Sequence, residues 1–437
     1  MRCLGLDIGS SSIKGAVLDV SEDLVTEIVK VPFPEPIAGL PGGFHEVSAA
    51  GVLAGVREVL GELFRRCPTA ERVRFCSQMG GILLLSESGD CLTEYLSWRD
   101  QRTLQAVSGG RGIGGTWLEA VRGELSDEVF CELGRELKPG SATSLLYWLH
   151  RQGRLPAGAI PVTVGDYVTA ALCGSVPRLH RTQGLGLINL LTGDWHRGAL
   201  GTLGLGELCW PEFAGDTEVI GELELGGKRL PCYASIGDQQ AALLGIGLES
   251  GELSVNLSTG AQVSRITAGF EPGECQTRCW FGGQYLNTVT HIPAGRSLTV
   301  LEALLTELPR ALGVSVVDSW RLIGEACEAV GDAGGLECDL SFFASAMGNE
   351  GRLSGITTEN LTVGHLFHAA FDFMSRASVE CAARLSRDPA WGRVALSGGL
   401  AQAFPALRRK LGAALPWPIR EVAAAEETLL GLLRLGW

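Results

Sequence analysis

Hydrophobic and polar positions alternate at the start of the chain. Residues 2–6 alternate and run into Asp7-Ile8-Gly9-Ser10-Ser11-Ser12. Residues 13–19 and, after a polar turn at 21–23, residues 24–31 resume the extended pattern. Period-two patterning broken by small and polar residues predicts three strands joined by tight turns. A Pro- and Gly-rich loop over 32–43 follows. The period then changes: Val52, Leu53, Val56, Val59, Leu60, Leu63 and Phe64 recur at helical spacing, which predicts an amphipathic helix, and residues 73–77 return to a strand. Strand, strand, strand, helix, strand is an α/β signature. Residues 104–161 are expected to be mostly helical, 162–172 to form a helix stopped at Cys173-Gly174, and 201–227 to be loop-rich.

The same pattern starts again near residue 232. A short strand over 232–236 leads into Gly237-Asp238-Gln239-Gln240, then a small-residue helix over 241–248 and a strand over 253–257. That strand ends at Ser258-Thr259-Gly260-Ala261, and residues 262–267 return as another. Near the C-terminus a strand over 393–396 meets Ser397-Gly398-Gly399 and a helix over 400–411. Two copies of strand, small polar turn and strand, about 250 residues apart, are too distant for a solenoid repeat. They predict a duplicated α/β domain, with residues 1–231 as the first unit and 232–437 as the second.

Composition narrows the function. Hydrophobic residues make up 46% of the 437 and charged residues 19%, which supports large cores and excludes a mainly disordered chain. The net charge is −13, the wrong sign for a general nucleic-acid binder. Thirteen scattered cysteines, with no histidine at finger-like spacing from Cys275 and Cys279, read as small buried hydrophobes in a reducing compartment. Asp7 falls where a signal peptide needs its apolar core, and no long charge-free apolar run occurs. The expectation is a cytoplasmic protein with no membrane or nucleic-acid partner.

The small polar turns carry the candidate chemistry. In Asp7-Ile8-Gly9-Ser10-Ser11-Ser12-Ile13-Lys14, glycine and successive backbone N–H groups can cradle phosphate oxygens. Ser10, Ser11 and Ser12 add hydroxyls, Lys14 a point charge, and Asp7 a ligand for Mg²⁺ directly or through water. An ordinary hairpin accounts for this segment equally. Ser258-Thr259-Gly260 is a second such turn, and two of them could clamp a polyphosphate from opposite sides. Asp238, at the start of a helix, is either a helix cap or a general base taking a proton from an acceptor hydroxyl. The glycine turn Ser397-Gly398-Gly399 could approach an adenosine closely. Gln78, Met79, Trp98, Asp100 and Arg102 offer hydrogen bonds and a flat face to a sugar. Trp98 as core and Asp100–Arg102 as a structural ion pair are the competing readings. The chain has no P-loop and no Gly-x-Gly-x-x-Gly opening a βαβ unit.

In this order the segments resemble the FGGY carbohydrate kinases of the sugar-kinase, Hsp70 and actin superfamily, over most of the chain. The resemblance implies two ribonuclease-H-like (actin-like ATPase) α/β domains with an interdomain cleft. It implies ATP and Mg²⁺, with the nucleotide mainly on the second domain and the sugar mainly on the first. Gly9, Ser10, Ser11, Ser12, Lys14, Ser258, Thr259, Gly260, Ser397, Gly398, Gly399 and Gln402 would serve the nucleotide, and Asp7 the metal. Gln78, Met79, Trp98, Asp100, Arg102, Asp238 and Gln239 would serve the sugar, with Asp238 as base. Stretches 166–174, 256–262 and 282–286 are similar to those of sedoheptulokinases, which puts sedoheptulose first, before xylulose or another sugar or polyol. A homodimer is in keeping with the resemblance. Two departures stand out: Gly80 replaces the histidine of the family's Gln-Met-His-Gly, and Glu426-Glu427-Thr428 only loosely matches its Gly-Ala-Ala ending. The competing class is an ATP-driven regulator of the same superfamily. It would bind a protein and phosphorylate no sugar.

Overall fold

The computed structural model describes residues 1–107, 115–386, 391–422 and 425–436. Its two large sheets repeat one scheme. In the first, Arg2–Ile8 pairs antiparallel with Ser12–Asp19, which pairs antiparallel with Leu24–Pro32. The helix Ala49–Arg66 then leads to Val73–Ser77, which lies parallel to Arg2–Ile8. The helix Val164–Cys173 precedes the Val219–Leu225/Lys228–Tyr233 hairpin, and Lys228–Tyr233 and Ile236–Gly237 both pair parallel with Val73–Ser77. In the second sheet, Glu252–Leu257, Ala261–Thr267 and Tyr285–Ile292 form the antiparallel meander. The 23-residue helix Val363–Leu385 leads to Arg393–Ser397, parallel to Glu252–Leu257, and Ile419–Glu421 follows, parallel to Arg393–Ser397.

Each scheme closes with a helix, and the two helices cross. Asp238–Gly245 follows the first sheet and Glu427–Arg434 the second. A Cβ on Gly245 would collide with the carbonyl of Glu427, and one on Gly431 with the carbonyl of Ala241. Glycine is required here because the backbones touch. Around this crossing a shared apolar cluster joins the sheets, with Cys76, Ile236, Leu243, Leu286, Leu429 and Leu432 all buried. Burying each leucine side chain contributes roughly 1.5–3 kcal/mol, so the crossing anchors the lobes.

Local sequence explains most boundaries. Ser48 caps Ala49–Arg66 by accepting from the Gly51 N–H, and the predicted Val52, Val56, Val59, Leu60 and Leu63 form its buried face. The 162–172 helix begins two residues later than expected. Residues Ile160–Val162 are a strand, and Thr163 with Asp166 forms a capping box. Gly174 stops it in the left-handed conformation at φ 60°.

The region 201–227 is loop-rich as expected, its regular structure limited to the end of helix Arg197–Thr202 and the strands Glu212–Ala214 and Val219–Leu225. Two expectations are corrected. The helix expected over 400–411 is two, Gly399–Ala403 and Pro405–Ala414, because Pro405 has no N–H to continue the first and sits instead at the first turn of the second. The helix expected over 241–248 is Asp238–Gly245, so Asp238 belongs to its first turn. The thirteen cysteines are free thiols, most of them buried. Among the described residues no helix is long and apolar enough to cross a membrane.

Candidate active site

Parallel pairing brings three strand ends to one edge. Asp7 lies beside Cys76 and Ile8 beside Ser77 on one flank of Val73–Ser77, while Ile236 and Gly237 lie beside the same two residues on the other. Asp7, Gln78 and Asp238 therefore emerge together. Gln183 ties the edge, its amide donating to the Ser77 hydroxyl (2.8 Å) and the Ile236 carbonyl (2.9 Å).

The two acids differ from ordinary surface carboxylates. Asp7 is buried; its Oδ2 accepts from the Thr428 hydroxyl at 2.8 Å, and its Oδ1 has no partner among the described residues. Burial raises its pKa against the opposing pull of Thr428 and Lys14. Asp238 does not cap its helix. Gly237 holds the cap position, and among the described residues the Asp238 Oδ1 accepts from the adjacent Gln239 N–H, at 2.8 Å. Burial, followed by the charge of Asp7, pushes Asp238 up to about 7. Between them, burial and then these same two carboxylates push the Cys76 thiol well above its usual range.

The first polar turn is a closed loop in which the Gly9 N–H donates to the Ser12 carbonyl at 3.1 Å. Ser11 is exposed and Ser12 buried, while Ser10 Oγ accepts from the Arg99 guanidinium at 3.1 Å. Lys14 is not a free point charge: its ammonium pairs with Glu426 at 2.8 Å.

The second turn, Ser258-Thr259-Gly260, is exposed and held from beneath. Gly295 N–H donates to the Ser258 carbonyl and Arg296 N–H to the Thr259 carbonyl. Ser258 Oγ donates to Asn256 Oδ1 (2.9 Å), and Asn256 Nδ2 donates to Ser397 Oγ (2.8 Å), so this turn and the 397–399 turn form one unit. Gly398 has φ 92°, and a side chain there would strike the Leu257 backbone. Gly399 faces open space, with no atom within 4 Å of where a Cβ would stand. Among the described residues Gln402 makes one long contact, 3.5 Å, to the Val422 carbonyl.

Of the residues expected to meet a sugar, Gln78 is buried with both amide atoms unpartnered among the described residues, and Met79 packs beside Gly237. Trp98 is 39% exposed, so its ring is not core. Gly80 sits at φ 80°, with the Trp98 Cβ 3.2 Å from where its own Cβ would stand. A histidine here would be strained, so the departure from the family pattern is one of backbone shape as well as side chain.

Three residues expected to contact the sugar are already spent on other partners. Asp100 and Arg102 are fully buried and paired: Asp100 accepts from the Arg102 Nε and Nη2 (2.9 and 2.8 Å) and from the His45 N–H (2.7 Å). Arg102 also reaches Glu46 at 2.6 Å. The amide of Gln239 is taken up by Gln262, Thr288 and Arg278. These three residues support the site rather than present free groups to it.

Sequence alone does not assign a role to Thr428, Glu426, Arg99, Gln183, Glu136 or Arg278. Only Glu426 and Thr428 carry a signal, as the departure in the C-terminal tail.

Two sheets of this topology, joined by crossing helices, make an actin-like ATPase fold. Residues 2–245 match the model of the FGGY family of carbohydrate kinases, N-terminal domain. The chain belongs to this family and is an ATP-dependent sugar kinase. It is 22% identical to sedoheptulokinase from Homo sapiens over 99% of this chain and 97% of that one. Among solved structures it is similar to ligand-bound xylulose kinase from Lactobacillus acidophilus, with a TM-score of 0.84, 15% identity and coverage of 99% and 88%. Gluconate kinase from the same organism gives 0.83, 15%, 100% and 89%.

Proposed function

We propose that the chain transfers the γ-phosphate of ATP to a primary hydroxyl of a ketose, sedoheptulose first, with Asp238 as general base. The observation that carries this reading is the placement of Asp7 and Asp238 at strand ends on the two flanks of Val73–Ser77, with Asp238 pushed up to about 7. Such a carboxylate can take a proton at neutral pH and release it afterwards. In the step, Asp238 accepts the hydroxyl proton, the acceptor oxygen bonds to the γ-phosphorus, and the bond to the β–γ bridging oxygen breaks with its electron pair leaving on ADP. Backbone N–H groups of the 9–12 and 258–260 turns other than those of Gly9 and Ser258, which close the turns, stabilise the phosphate oxygens. The 397–399 turn supports the adenosine, Gln78 and Trp98 the sugar, and lobe closure excludes water.

The unpartnered Asp7 Oδ1 fits a Mg²⁺ ion held directly or through water. Mg²⁺ is commonly bound by one or two carboxylates together with substrate phosphates, where it supplies charge neutralisation to the triphosphate. The full-length likeness to sedoheptulokinase supports sedoheptulose as acceptor.

A coupled ADP-release screen across C3 to C7 sugars and polyols tests the reading. Sedoheptulose is expected to give the highest kcat/KM. A better acceptor would replace it, and no acceleration by any sugar would end the kinase assignment.

Two further outcomes are expected. A base must be deprotonated, so kcat/KM for the sugar should fall about tenfold per pH unit below a midpoint near 7. A flat profile from pH 5 to 8 would exclude Asp238 as the titrating base. Gly399→Tyr projects into open space and should raise the KM for ATP about tenfold, with that for sugar little changed, an effect worth about 1.4 kcal/mol of binding. Steady-state kinetics on both substrates decides it, and the reverse pattern would move this turn to the sugar.

A further inference from the structure

The charges around the first polar turn do not match its residue types. Lys14, the cation built into the hairpin, is neutralised by Glu426 at 2.8 Å. Asp7 opposite it in register is held by Thr428. The uncommitted cation is Arg99, which arrives from a different segment. Its Nη2 donates to Ser10 Oγ at 3.1 Å, and its guanidinium carbon lies 5.5 Å from the centroid of the Trp98 ring. Among the described residues Arg99 forms no ion pair, because the neighbouring carboxylate, Asp100, is spent on Arg102. The side chain is exposed and has donors to spare. Gly80, whose Cβ position lies 3.2 Å from the Trp98 Cβ, follows Met79, which packs against Gly237, so the Trp98–Arg99 segment runs close to the strand end that carries Asp238. Arg99 thus spans from the exposed indole to the phosphate turn.

We propose that Arg99 is the cation that meets the phosphoryl group as it passes from ATP to the sugar. This rests on reading the 9–12 turn as a phosphate turn. A planar guanidinium can contact two equatorial oxygens of the transferring group at once, where charge is greatest in the transition state. It forms no covalent bond and takes no proton. Arg99 does the electrostatic work that Lys14, tied to Glu426, does not.

Arg99→Ala should lower kcat about 10²–10³-fold, the scale of removing one preorganised donor to a transition state, while the KM for sugar stays near its starting value. Arg99→Lys should recover part of the loss, and added guanidinium ion should partly restore Arg99→Ala. Binding gives an independent readout. With Mg²⁺ and the best acceptor from the screen, Arg99→Ala should bind ADP as the parent does but ADP with aluminium fluoride, which mimics the transferring group, far more weakly. Thermal unfolding should be unchanged, since the side chain is exposed. A raised sugar KM at constant kcat would assign Arg99 to the sugar and overturn the proposal. Equal weakening of ADP and of the aluminium fluoride complex would do the same. If the parent protein releases no ADP with any sugar, the kinase reading itself has failed; a working parent with an indifferent Arg99→Ala sinks only this inference.

Discussion

Asp238→Asn is expected to lose at least ~10²-fold in turnover while sugar binding is retained, the lower end of what a positioned general base contributes. The substitution keeps the volume and the hydrogen bond from the Gln239 N–H. It removes the capacity to take a proton and the negative charge that goes with it. The residue does not cap its helix, so the loss cannot come from unravelling the Asp238–Gly245 turn. Stability should move the other way. A carboxylate whose folded pKa lies above its unfolded value opposes folding once the pH rises through that unfolded value, because the unfolded chain ionises it more readily. The parent therefore carries a penalty at neutral and higher pH that the amide does not. At pH 8 the variant should unfold at the same or a higher temperature than the parent. Kinetics, calorimetric sugar titration and thermal melts together test the claim. Near-normal turnover, or a variant both inactive and destabilised at pH 8, would remove Asp238 from the role of base.

How far the sequence carries the fold depends on period and punctuation. The three opening strands, the Ala49–Arg66 helix and Val73–Ser77 are readable because alternation and helical spacing follow directly from which faces are buried. The duplicated hairpins lead to the repeat, and the two sheets do share one scheme. Helices inside the second half, such as Gly295–Ala311 and Val363–Leu385, are not evident from the pattern. Val363–Leu385 is buried on most of its surface and so lacks a clean polar stripe. At the site, Asp7, Asp238 and the turns are visible as residue types in suggestive places. Their partners are not. Thr428 reaches Asp7 from 421 residues away and Glu426 reaches Lys14 from 412, and no local pattern encodes such a meeting. Gln239, Asp100 and Arg102 show the converse. Side chains suited to binding a sugar suit bracing a cleft equally well, and only burial and the identity of their hydrogen-bond partners separate the two.

The bracing across the lobes should itself be measurable. Glu136, from the first half, and Arg278, from the second, form a buried ion pair at 2.5 Å. Arg278 also donates to Gln239, and Lys138 beside it donates to Thr290 at 2.7 Å. Arg278→Met should destabilise the protein by ~3–5 kcal/mol, because Glu136 is left buried and without its partner. Glu136→Gln with Arg278→Met should recover most of that loss, since a buried pair removed whole costs little compared with one broken in half. Urea midpoints of the parent, both single variants and the double variant close the cycle. Acid should erase the difference. Burial raises the Glu136 carboxyl, but Arg278 and Lys138 more than offset it and hold it below the ordinary range. A depressed carboxylate stabilises the fold above its unfolded pKa, and that stabilisation is lost as the pH falls through the folded value. The gap between parent and Glu136→Gln should therefore be full at pH 7 and shrink on acidification. Arg278 also lowers the pKa of Asp238, so Arg278→Met should shift the acid limb of the pH–rate profile upward. A structural brace remote from the chemistry would leave that limb in place, and an unmoved limb would limit Arg278 to holding the lobes.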